Sequence, residues 1–162
     1  MKTLIVGLGN PILGDDGVGW HIAKLVGQKI QAESLDLEQV DIDSLSLGGL
    51  SLMEHLVGYD RAILIDAIHI ERGPLGSVYR FMLEELPDPG AGHTSSVHDT
   101  TLQTALKMGR TLGMKLPDQI TVIAIEAHID YTFTESLSPP VAAAVPVAAE
   151  MVLEALGNPR QT

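Results

Sequence analysis

The chain has 162 residues, 45% of them hydrophobic, and carries 21 Asp and Glu against 10 Lys and Arg, a net charge of −11. This length and composition suit one domain over residues 1–162 and exclude a disordered chain, while the acidic balance disfavours nucleic acid and favours cationic partners or metals. With no cysteine, disulfides, thiolate metal sites and cysteine nucleophiles are excluded, so any metal must rest on histidine, carboxylate or backbone oxygen.

Residues 2–8 read as a buried strand bounded by Gly7 and Gly9. This run is too short for a signal peptide, and no later apolar stretch reads as approaching the ~20 residues that span a bilayer. A cytoplasmic protein with no membrane partner is expected. From residue 16 to about residue 30 the pattern turns helical, with Val18, Ile22, Leu25, Val26 and Ile30 on one face. Asp15 fits the N-cap, and Asp15 and Asp16 both suit the positive helix end. Residues 37–43 alternate as a second strand, and residues 50–57 form a short helix after Gly48-Gly49.

Residues 61–68, "RAILIDAI", give the strongest buried-strand signal, and residues 77–83 alternate as a further strand. The connection between these two is too short for a parallel crossover, so the second is expected to be antiparallel. Residues 84–96 form a loop, residues 99–112 an amphipathic helix with Ser96 and Asp99 as its capping pair, and residues 119–126 another buried strand. The last helix begins near Ser138 with Pro139 and Pro140 in its first turn, and Pro146 predicts a kink or a restart. The alternation predicts a three-layer α/β/α sandwich around a mostly parallel twisted sheet of about five strands, one of them antiparallel.

In such sheets ligands bind beyond the carboxyl ends of the strands. Asp16 follows the first strand, Asp66 lies near the end of "RAILIDA", and His98 falls at the start of a helix that must begin at the same edge. Topology therefore gathers two carboxylates and an imidazole. That set suits a divalent metal of borderline softness, such as nickel, zinc or iron, with positions left open for substrate or water. Asp66 carries most of the functional weight, because a carboxylate inside an apolar strand costs several kcal/mol unless paired or liganded. Asp15 reads as a helix cap, Asp16 alone as a dipole-compensating charge, and His98 alone as a surface or capping histidine.

Among the remaining histidines, His93 lies in the 84–96 loop as a candidate second ligand, His21 and His55 read as solvated, and His69 begins a turn. Alternation puts Glu126, His128 and Asp130 of "EAHID" on one face as a reserve ligand set, although an ordinary surface loop explains them as well. The glycine-rich start fails the G-x-G-x-x-G spacing, with Ile at position 12, and no Walker lysine or G-x-S-x-G elbow occurs.

"GLGNPILGDDGVG", "LIDAI" in a strand, "SSVHDTTLQTAL" opening a helix and "LSPPVAAAVPVAAEMVLEAL" at the end together resemble the hydrogenase maturation endopeptidases over nearly the whole chain. The resemblance implies an endopeptidase that removes a C-terminal peptide from the [NiFe]-hydrogenase large-subunit precursor once nickel is inserted. It further implies that nickel is transient, delivered by the substrate and recognised by Asp16, Asp66 and His98, with no tightly bound cofactor. "LIVGLGNP" is also similar to the start of peptidyl-tRNA hydrolases. That family continues with Thr-Arg-His-Asn where this chain reads "DDGVGWH", and the acidic charge argues against tRNA. A non-catalytic maturation chaperone of the same fold is the other alternative.

Overall fold

The computed structural model describes residues 1–33, 38–86, 101–128 and 130–157. Five strands form one sheet: β1 (Thr3–Leu8), β2 (Val40–Leu45), β3 (Arg61–Ile68), β4 (Val78–Met82) and β5 (Gln119–Glu126). Their spatial order is β2-β1-β3-β5-β4. β2, β1, β3 and β5 are mutually parallel, and β4 runs antiparallel along β5. The short connection after β3 thus gives the expected antiparallel strand, but its partner is β5, because β5 inserts between the two.

Each strand sends alternate residues to opposite layers. Ile5, Ile63, Ile65, Ile123 and Ile125 pack against α1 (Val18–Ala32) and α4 (Pro139–Gly157) through Val18, Ile22, Val26, Val141, Ala148 and Val152. Leu4, Val6, Leu64 and Val122 face the other way, onto Leu52 and Met53 of α2 (Gly49–His55) and Ala105 and Leu106 of α3 (Leu102–Thr111). This is the three-layer sandwich, with both faces of the parallel strands covered. That is why β1, β3 and β5 read as nearly continuous apolar runs.

Two helices differ from their sequence reading. α3 starts later than residue 99: Thr101 caps it, its Oγ1 accepting the Thr104 amide at 3.2 Å. The capping pair drawn from Ser96 and Asp99 lies outside the described residues. α4 runs unbroken through Pro146, with no restart. Pro146 and Ala142 are both exposed, so water can serve the Ala142 carbonyl that loses its intrahelical donor. α4 is also long and apolar enough, by length and composition, to cross a membrane, against the expectation that no such stretch exists. Its stripe of Val141, Ala144, Ala148, Val152 and Ala155 is buried against α1 and the sheet, and it is a core helix.

Candidate active site

β1 is followed by a connection to β2 on one side, whereas β3 leads by way of β4 and α3 to β5 on the other. The carboxyl ends of β1 and β3 therefore flank the switch point of the sheet, the place where such sheets bind ligands. The segment after β1 must turn sharply to enter it. Gly9 does so at φ 116, where a Cβ would sit 1.9 Å from the Asp16 carbonyl oxygen. Gly19, in the first turn of α1, lies so close that a Cβ would be 2.4 Å from the Ile65 carbonyl oxygen and 2.5 Å from that of Leu8. No other residue lets the helix start press directly on the ends of both strands.

Asp15 and Asp16 occupy a 3-10 turn, Gly14–Gly17, ahead of α1. Neither caps the helix: Gly17 is its N-cap, and no side chain bonds there. The Asp15 carboxylate instead accepts both the amide and the hydroxyl of Ser138, each at 2.7 Å. Nearby, Thr134 donates to Ile12 at 2.9 Å and accepts from Gly14 at 2.7 Å, so the loop after β1 is laced to the segment leading into α4. Asp16 turns the other way and accepts the Asn10 amide at 2.8 Å.

Asp66, at the end of β3, is half-buried and accepts the amide of Ala67 at 2.8 Å. Desolvation pushes its pKa up to about 7, and the negative charge of Asp16 adds to the rise, against the lowering effect of the Ala67 amide. Asp16 and Asp66 are thus brought together at the switch point as the topology requires. His98 and His93 lie outside the described residues, just upstream of α3, whose N-cap Thr101 follows His98 by three positions.

The reserve set does not assemble. Glu126 is buried, with its carboxylate accepting the amides of Ile70 at 2.9 Å and Arg72 at 3.3 Å. Asp130 is exposed and accepts the Thr132 amide. Among the described residues no group of three or more His, Asp or Glu is arranged to hold a metal ion. The sequence reading missed the Ser138 anchor of Asp15, which is 123 positions away and has no local signal.

A doubly wound sheet with two carboxylates near its switch point defines the class, an α/β protein with a polar site at the carboxyl ends of its parallel strands. The family model for "Hydrogenase maturation protease" matches residues 24–155, a span that holds Asp66 and begins after Asp16. The chain belongs to the hydrogenase maturation protease family and is an endopeptidase. It is 27% identical to the hydrogenase 2 maturation protease of Escherichia coli (strain K12), over 96% of this chain and 91% of that one. The solved structure of the hydrogenase maturating endopeptidase HybD from E. coli superposes with a TM-score of 0.73 at 26% identity, covering 99% of this chain and 94% of that one. A hydrogenase 2 maturation peptidase from a Thaumarchaeota archaeon gives a TM-score of 0.64 at 29% identity, over 97% and 99%. The five-stranded sheet with one antiparallel pair is the fold of these proteases.

Proposed function

We propose that this endopeptidase removes the C-terminal extension of a hydrogenase large-subunit precursor after nickel insertion, and that the nickel in the substrate is what the site recognises. The observation that carries the reading is the pairing of Asp16 with Asp66. Burial and mutual repulsion hold Asp66 at a pKa of about 7, so a cation would relieve a cost the protein otherwise bears. The two carboxylates with His98 offer an oxygen-and-nitrogen donor set. Such donors suit nickel but grip it less durably than thiolates, which fits an enzyme that releases its product.

The precursor brings the metal, and Asp16, Asp66 and His98 complete its surroundings transiently. Seating the cation fixes the scissile bond against it and so supplies orientation and charge stabilisation. A carboxylate acting as general base on the attacking water uses the same side chains. Asp15, tied to Ser138, keeps the Asp16 turn in register with the start of α4. We place the reaction in the cytoplasm, with no resident cofactor.

The test is to mix the protein with nickel-loaded and with nickel-free precursor and to look for the released peptide by mass spectrometry. Release from the loaded precursor alone supports the reading. Equal release from both, or stoichiometric metal retained by the enzyme through chelator dialysis, contradicts substrate-borne nickel.

A further inference from the structure

The structure assigns a second cation-binding element to this chain: we propose that His69 and His128 form a two-imidazole site for a borderline divalent transition metal, separate from Asp16 and Asp66. Their ring centroids are 5.5 Å apart in an edge-on arrangement with 68° between the planes. Two imidazoles sharing one ion, with metal–nitrogen bonds of about 2.0–2.1 Å, place their ring centres about 5 Å apart. The free rings thus stand within about half an ångström of a chelating separation.

The sheet fixes this spacing. Ile68 is paired in register with Glu126, and the Ala127 amide donates to the Ile68 carbonyl at 2.9 Å. His69 follows Ile68 directly, and His128 follows Ala127, the residue whose amide makes that bond. Both are exposed, so a solvated ion can reach them.

A buried carboxylate stands behind the pair. Glu126 is 1% exposed, and its Oε2 lies 3.7 Å from Nδ1 of His69. That carboxylate is itself held by the amides of Ile70 and Arg72. Between those two amides Glu71 sits at φ 54, so the backbone folds into an anion-binding nest around Glu126. A carboxylate that close to one imidazole places negative charge beside the pair, which favours a cation there, as carboxylates do in metal sites whose ligands they back. His69 Nε2 is 3.3 Å from exposed Glu71 Oε1, which lends further negative charge beside the pair. The donor type selects nickel, copper or zinc over magnesium or calcium. With two protein ligands the ion exchanges readily and is stripped by chelator.

The inference does not depend on the nickel reading of the Asp16 site, and its test separates the two. Nickel chloride is titrated calorimetrically into tag-free protein, and copper(II) is added to parallel samples for electron paramagnetic resonance. The Asp16→Asn/Asp66→Asn variant should still bind one ion with a nitrogen hyperfine pattern. Adding His69→Ala and His128→Ala to that background should abolish both signals, and Glu126→Gln should weaken binding about tenfold. The single exposed change His128→Ala guards against unfolding, with circular dichroism as the check, and should by itself remove the second nitrogen. Binding unchanged by His128→Ala, or already lost in Asp16→Asn/Asp66→Asn, overturns the assignment.

Discussion

β3 carries a charged residue near each end, and the fold gives the two different partners. Arg61, 2% exposed at its amino end, donates to the carbonyls of Ala155 at 3.3 Å and Leu156 at 2.8 Å. These are C-terminal groups of α4, where the helix dipole favours a cation. Asp66, five positions on, has one backbone amide and a neighbouring carboxylate of like charge. Glu126 on β5 shows that the fold can satisfy a buried carboxylate when it needs to, with two amides. The contrast teaches that the fold gives Arg61 and Glu126 two backbone partners each, whereas the Asp66 carboxylate has one amide and a like charge beside it. Desolvation presses on both charges, lowering the pKa of Arg61, with Arg80 adding to the fall, and raising that of Asp66; Arg61 meets two helix-end carbonyls, Asp66 a single amide.

The largest expected effect breaks the Asp66 side of this contrast. Asp16→Asn or Asp66→Asn should lower precursor cleavage at least about 100-fold, roughly 3 kcal/mol of lost transition-state stabilisation, with the fold intact by circular dichroism. Intact processing by both variants would leave the protease without its site. Next comes the other end of the strand. Arg61→Ala strips the donors from two helix-end carbonyls and opens a void, and should cost about 2–4 kcal/mol in urea unfolding. The folded protein should still cleave, because Arg61 lies at the opposite edge of the sheet. A loss of cleavage in excess of the loss of folded protein would contradict the division of roles.

A smaller effect sharpens the comparison through pH. The folded-state pKa of Asp66, about 7, lies above the ordinary 3.8, so the native protein holds an extra proton between these values. Stability should therefore fall as pH rises through that window, the full penalty being present above pH 7. The shift caps the penalty at about 4 kcal/mol, and partial solvent access reduces it to about 1–3 kcal/mol. Asp66→Asn should gain that amount at pH 8 and gain nothing near pH 4. The smallest effect concerns the lacing of the loops. Asp15→Asn keeps one acceptor oxygen for Ser138 and should cost about 1 kcal/mol, with slower cleavage at unchanged secondary structure.

The sequence delimits β3 and β5 to the residue, because both are buried on two faces and end at polar or turn residues. The start of α3 is less legible: Ser96 and Asp99 read as a capping pair, and the cap that the structure describes is Thr101, whose hydroxyl accepts the Thr104 amide. Asp16 and Asp66 are legible as a pair because parallel topology forces strand ends to one edge. Asp15 is not, since its partner Ser138 approaches through the tertiary fold. Alternation groups Glu126 with His128 and Asp130, but the structure gives each of them other partners. Glu126 goes to the amides of Ile70 and Arg72, and His128 to His69. Such a cross-strand grouping depends on the β3–β5 register, which no local pattern discloses.

The most direct measurement takes one preparation of Asp66→Asn and reads two properties at pH 8: urea unfolding, and cleavage of nickel-loaded precursor. The account predicts a protein more stable than the parent that releases no peptide. A variant that is less stable, or that still releases the peptide at the parent rate, would contradict the claim that Asp66 is held under strain for the sake of a cation.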